Sequence, residues 1–323
     1  AITDHGVMYG AFQFYKACKR YGIKPLIGCE VYVAPSGRHS RAKHGKANAQ
    51  HLVLIAKNNV GYRNLLKLVS LAHLEGFYYK PRVDHELLEQ YSEGLIATSA
   101  CLGGEIPQKL IHDDYAGARD MAAWYKEHFE DFYLELQDHG LELQHQVNRD
   151  IMRLHRELDI PIICTNDSHY LVQDDSKIHE VILCIPGGKT LLDPDRHRYP
   201  GGPEYYLKDS EQMQHIFREI PEAIQNTIAI AEKCHVIIDT GRIILPKFDV
   251  PAGHTPVTYL RELTWKGIAK RYPILTDEIK RRTNYELEMI ESMGFVDYFL
   301  IVWDYMHYAQ RKGIATGPGR GSA

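Results

Sequence analysis

"LDIPIICTNDSHY", residues 158–170, passes from apolar to ionisable within one short segment. Ile160, Ile162 and Ile163 read as the apolar part of a buried strand that runs on to Tyr170. At its end stand Asp167 and His169, a spacing that puts both side chains on one face of an extended segment. A polar turn would account for either residue alone. Working outward, the same pairing of an apolar strand with a metal-ligand type recurs. "KPLIGCEVYVAP" (24–35) carries Glu30, "HLVLIAKN" (51–58) begins at His51, "EGLIATSACLGG" (93–104) holds Cys101, and "FYLELQDHG" (132–140) ends in Asp138 and His139. The opening residues "AITDHG" look like the tail of a further strand, with Asp4 and His5 at its end.

Helical spacing fills the intervals: residues 8–21 ending at Gly22, "GYRNLLKLVSLAHL" (61–74), "DDYAGARDMAAWYKEHF" (113–129) and residues 142–158. Strand and helix alternate with short connections, which predicts an α/β fold of parallel strands wrapped by helices. A barrel and an open sheet both fit that alternation. After about residue 210 the pattern turns helical, with "DSEQMQHIFREI" (209–220) and "PEAIQNTIAIAEKC" (221–234). The Pro-rich stretch "LPKFDVPAGHTP" (245–256) then reads as an extended connector. It sets an expected boundary near 250, giving domains 1–250 and 251–323. Within the second, Phe299, Val302, Met306 and Ala309 have the spacing of a packed helix face.

The 323 residues, 44% hydrophobic and 25% charged, describe an ordinary globular chain with room for two cores. No apolar run has the length of a membrane span. A net charge of -4 gives no general attraction to nucleic acid, so any such contact must be local. The six cysteines are scattered through apolar segments without a CxxC, which suits reduced thiols in a cytoplasmic protein. No signal peptide precedes the first strand, and the chain reads as a fragment. The segment 36–50, with Arg38, Arg41, Lys43 and Lys46, reads as a solvated loop or as a contact to a phosphate backbone. "IPGGKT" (185–190) is not a Walker loop, because the first glycine of that motif falls on Leu183.

The 18 histidines exceed what packing requires, and so many strand ends bearing His, Asp, Glu or Cys point to a shared metal site. Mixed imidazole, carboxylate and thiolate donors suit zinc, with manganese or iron where oxygen dominates. The donors outnumber the four of one tetrahedral ion, so two or more ions are expected. Such sites hydrolyse phosphate esters, one ion activating water and another stabilising the leaving oxygen.

At "TDHG", "GCEVYV", "HLVLIAKN", "SACLGGEIP" and "TNDSHY" the chain resembles the PHP (polymerase and histidinol phosphatase) domain family. At "LEGFYYKPR", "FYLELQDHG", "YELEMIESMGFVDYFLIVWDY" and "GPGRGSA" it is similar to the family C bacterial replicative polymerases, the DNA polymerase III alpha subunits. The resemblance implies a distorted (β/α)7 barrel, a mostly helical connector and the beginning of a polymerase-beta-like palm. It implies metal ligands at His5, Glu30, His51, Cys101, Asp167 and His169, holding up to three Zn2+ or Mn2+ ions, with Asp4 orienting His5. A His-x-His motif would lie before residue 1, and the palm aspartates that bind Mg2+ would lie after Ala323. In "GPGRGSA", Gly319, Arg320, Gly321 and Ser322 would hold the triphosphate of an incoming nucleotide; a tight turn after a helix is the plain alternative. The chain departs from the family at Pro186–Gly187. His139 and His179 are expected to make structural hydrogen bonds or to edge the metals, and Tyr78 and Tyr79 to pack or to stack on bases.

The implied function is template-directed DNA synthesis by the complete parent, with primer-template DNA and dNTPs as substrates and a sliding clamp as partner. The PHP unit would add a 3′–5′ proofreading exonuclease. Alternatives are a stand-alone PHP phosphoesterase, or a metal-stabilised scaffold docking a separate exonuclease subunit.

Overall fold

The computed structural model describes residues 1–41, 49–241 and 244–317. The chain divides into two units, Ala1–Ile238 and Asp239–Ala323. The first unit runs α1 (Ala11–Arg20), β1 (Gly28–Val33), β2 (Gln50–Ala56), α2 (Asn59–Leu74), β3 (Arg82–Val83), α3 (His85–Gln90) and β4 (Leu95–Thr98). It continues with α4 (Glu105–Ile111), α5 (Tyr115–His128), β5 (Asp131–Leu136), α6 (Glu142–Leu158), β6 (Ile162–Cys164), α7 (Ser176–Cys184), α8 (Ser210–Ile216) and α9 (Pro221–Lys233).

Local chemistry explains the boundaries. Asn58 caps α2 by accepting the N–H groups of Val60 and Gly61, and Leu65, Leu68 and Ala72 form its buried stripe. On α6 the stripe is Val147, Ile151 and Leu154, and Asp159 ends the helix in the left-handed conformation.

The strands form one sheet in the order β3-β1-β2-β4-β5-β6. β1 pairs parallel with β3, and β4, β5 and β6 pair parallel in series, but β2 lies antiparallel to both β1 and β4. The expectation of parallel strands throughout is therefore corrected at one place: β2 alone runs against the others. A parallel return needs a crossover, usually helical, and none lies between Val33 and Gln50 among the described residues. The reversal brings the start of β2, where His51 stands, to the end of the sheet where its neighbours finish.

Side chains alternate across the sheet. Val31, Leu54, Ala97 and Leu134 face the helices in the main core, while Ile55, Ile96, Tyr133 and Ile163 face the other way with Ile230 and Cys234. Outside β1, Ile2 and His5 bridge to Ile27 and Glu30 in parallel. The ring of His5 also lies 5.6 Å from that of His169, just beyond β6 at the far edge. The mixed α/β sheet thus curls until its two edges share a mouth, in keeping with the distorted barrel implied by the sequence. No helix among the described residues is long and apolar enough to cross a membrane.

Arg38 is not a solvated loop cation. It is buried, bonds Asp84 through Nη1 at 3.0 Å, and pairs with Glu75 and Glu86. That network consumes the charge a phosphate would need. Lys43 and Lys46, and likewise Gly319, Arg320, Gly321 and Ser322, lie outside the described residues. Tyr78 packs edge-on against Tyr79 and beneath Arg82.

In the second unit α10 (Pro256–Arg271), α11 (Asp277–Ser292) and α12 (Val296–Arg311) enclose Leu260, Leu287, Val296 and Leu300. The buried face of α12 is thus Val296 and Leu300 rather than the expected stripe, and Phe299 is 43% exposed. Phe248 and Val250 pack on this cluster, and the Phe248 N–H donates to Asp297 Oδ1 at 2.9 Å. The connector therefore belongs to the helical unit, which begins at Asp239 and not near 250.

Asp131, buried at the start of β5, accepts Lys57 Nζ from the end of β2 at 2.7 Å and also bonds Lys233 of α9. Burial pushes its carboxyl up, but the two lysines hold it below the usual carboxylate range. The folded group is thus the stronger acid, so its stabilisation is present above the unfolded pKa and fades as pH falls through the folded one. Asp131→Asn is expected to cost about 2 kcal/mol at pH 7 and little at pH 2, read from urea midpoints at both pH values.

Candidate metal centre

The mouth of the curled sheet holds a cavity of about 530 Å³ whose wall includes His5, Glu30, Cys101, Glu135, Asp167 and His169. Its centre is Glu30, on the inward face of β1 and only 5% exposed. Register places the others around it. His5 bridges to Glu30 directly. In the antiparallel ladder Glu30 stands opposite Val53, so His51, two residues away on β2, is its diagonal neighbour on the same face. His51 Nδ1 contacts Glu30 Oε1, and His5 Nδ1 lies 3.3 Å from the same oxygen.

Cys101 arrives from a loop. The expected strand, ending at Cys101 before a glycine turn, stops at Thr98, because Ala100 takes a left-handed φ of +58° that ends the extended run. The loop then closes on β2: the His51 N–H donates to the Gly103 carbonyl at 2.9 Å. A Cβ at Gly103 would come within 3.1 Å of the His51 ring, so this approach suits glycine. Cys101 Sγ ends 3.5 Å from His51 Nδ1. The donor atoms of Glu30, His51 and Cys101 all lie within 4.8 Å of one another.

Asp167 and His169 occupy the opposite wall, by a route different from the extended pair expected. β6 ends at Cys164, and Asp167 sits in a left-handed conformation with φ +45°. Strain of that kind in a non-glycine residue persists where surrounding bonds enforce it. Here Asn166 Nδ2 donates to the Glu204 carbonyl at 2.9 Å, and the His169 N–H to the Tyr205 carbonyl at 2.8 Å. The turn leaves Asp167 Oδ1 3.9 Å from His169 Nδ1.

Asp4 contributes through its main chain: its carbonyl accepts the Glu30 N–H at 3.0 Å, and among the described residues no side-chain bond joins it to His5. The turn after His5 is pinned by His73, whose Nε2 donates to the Gly6 carbonyl at 3.0 Å. Buried His139 has both ring nitrogens engaged, with the Asn166 carbonyl at 3.0 Å and Gln144 Nε2 at 2.7 Å. It is a structural residue. His179 lies against the rings of His169, Tyr170 and Tyr199.

Two residues of the site escaped the sequence reading. Glu135 lies on the cavity floor, where Thr98, Thr165 and Gln137 donate to its carboxylate. The clue was available, since Glu135 on β5 and Gln137 just after it interrupt the apolar run at alternate positions. Tyr199, whose hydroxyl reaches His169, lies far along an irregular segment with no such signal.

The electrostatics call for a cation. Burial pushes Glu30 up, yet the bonds from His5 and His51 bring it down to about 2, so it stays anionic. Burial, aided by the charge of Glu30, raises Asp167, and burial raises Glu135. The Cys101 thiol is pushed up by burial, then by Asp167 and Glu30. Among the described residues neither Asp167 nor Glu135 pairs with a lysine or arginine. Glu30 Oε1 is buried, and among the described residues the two imidazole nitrogens are the only groups that face it. Lone pairs of carboxylate, imidazole and sulfur converging on one point fit a transition-metal ion better than a hydrogen-bond network.

Comparison with known proteins agrees with this geometry. Residues 1–139 match the PHP domain model and residues 258–323 match the model of the bacterial DNA polymerase III alpha NTPase domain. Over its full length the chain is 45% identical to the DNA polymerase III subunit alpha of Borreliella burgdorferi. Against the subunits of Treponema pallidum and Thermus aquaticus the identities are 44% and 38%, again over the whole chain. The chain spans 28%, 28% and 32% of these curated relatives, respectively.

Saturating metal is expected to stabilise the first unit, by about 2.7 kcal/mol at a hundred times Kd, and a chelator to reverse it. Glu30→Gln is expected to abolish that shift. Thermal melts with and without Zn2+ or Mn2+, with bound metal counted by elemental analysis, check both; less than one ion per chain would end the metal reading.

Proposed function

We propose that the chain belongs with the bacterial DNA polymerase III alpha subunits that it resembles along its whole length, and that its first unit is a metal-dependent phosphodiesterase acting on DNA 3′ ends. We propose equally that the complete parent carries out template-directed DNA synthesis from dNTPs. The observation that carries the nuclease reading is the convergence of His5 and His51 on one buried oxygen of Glu30, with Cys101 in the same group of donor atoms. Asp167 and His169 face it across the same cavity.

The donor set suits Zn2+ or Mn2+, with Glu30, His51 and Cys101 as one ligand group and Asp167 and His169 completing a second position. Bound there, the ions would supply Lewis-acid activation of water and charge neutralisation at the leaving oxygen. The protein's own work is to hold these donors together and to keep Glu30 ionised. In the parent, Mg2+ would serve the palm, and a clamp and a separate exonuclease subunit are the partners we assign it, in the cytoplasm.

A stand-alone phosphoesterase is disfavoured by the match of residues 258–323 to a polymerase module, which a phosphatase does not use. A purely structural metal scaffold remains the contrasting reading, and one variant separates the two. In the complete parent, His169→Ala is expected to lower 3′-end trimming of a single-stranded oligonucleotide about 100-fold, the scale of a positioned catalytic group, and to leave primer extension intact. Parallel loss of both activities would assign the centre to structure alone; trimming that survives the substitution would remove it from catalysis.

A further inference from the structure

We infer that the Tyr199 hydroxyl is a latch on the metal centre, holding His169 Nε2 and yielding it only when His169 becomes a ligand. This rests on the metal-centre reading above. His169 Nδ1 lies 2.7 Å from the Asp167 carbonyl oxygen, so that nitrogen carries the proton and donates it. Nε2 is then the ring's single lone pair. The Tyr199 hydroxyl lies 2.9 Å from it and donates into it. Both nitrogens are therefore engaged, and ligation through Nε2 requires the phenol to let go.

The phenol is held by more than this bond. Its ring lies 4.6 Å from that of His169, 5.2 Å from His179 and 5.0 Å from Tyr205. Tyr205 in turn stacks on His139 at 4.1 Å. Two residues past Tyr199, Gly201 adopts φ +88°, and a Cβ there would come within 2.9 Å of the His139 carbonyl oxygen. The turn carrying Tyr199 thus lies flush against His139. This gives the hydrogen-bonded His139 a use: it is the post to which the latch is fastened.

The latch lowers metal affinity below what the ligands alone would give, by the strength of one hydrogen bond. Tyr199→Phe removes the hydroxyl and keeps the ring packing. In chelator-stripped protein titrated with Zn2+ or Mn2+ by calorimetry, Y199F is expected to bind metal roughly two- to ten-fold more tightly than wild type. In a His169→Ala background the same substitution is expected to change nothing. Equal or weaker binding by Y199F, or a gain that persists without His169, overturns the latch while leaving wild-type metal binding, and so the centre, in place. Absence of metal uptake by wild type overturns both. Should Y199F fail to fold, Gly201→Ala, which forces the turn off His139, carries the same test with the same expected tightening.

Discussion

A buried carboxylate held ionised by two imidazoles is the constraint on which this site is built. Glu30 lies inside the mouth of a curled sheet, where loss of water favours its neutral form. His5 and His51 reverse that preference, and both reach it through strand pairing: one by a parallel bridge, the other as the diagonal neighbour in an antiparallel ladder. Because register on a pleated sheet is fixed in steps of two, a slip of one residue in β1 or β2 would turn one of these side chains to the helix-facing core. Folding and site assembly are thus one event.

The reversal of β2 has the largest consequence. In a uniformly parallel sheet the beginning of a strand lies at the end opposite the site, and His51 would be excluded. Running β2 against its neighbours brings its first residues to the shared mouth. The loop 99–104 then seals against it, with Gly103 flat on the imidazole and Cys101 beside Nδ1.

The opposite wall is organised by polar backbone bonds rather than by pairing. Asn166, Asp167 and His169 are drawn together by main-chain contacts with 204–206, and Tyr199 and Tyr205 fill the space between that turn and His139. This wall depends on backbone bonds to an irregular segment, whereas the Glu30 wall depends on strand ladders and the loop that closes on them.

Residue chemistry determined a good deal by itself. Apolar runs with period two and stripes such as Val147, Ile151 and Leu154 located strands and helices, and α6 was legible to its last residue. The candidate donors were legible because His, Glu, Cys and Asp at strand ends are costly unless they share a purpose. What the sequence could not carry was direction and conformation: which strand runs backwards, that Ala100 and Asp167 turn left-handed, that Arg38 is spent in ion pairs, and that the connector around Phe248 packs with the helices after it. Nor could it bring Tyr199 to His169 or Glu135 to the cavity floor. The physical reason is common to all of these: each is decided by contacts between residues far apart in the chain, whose energies appear only once the sheet has curled and brought them together.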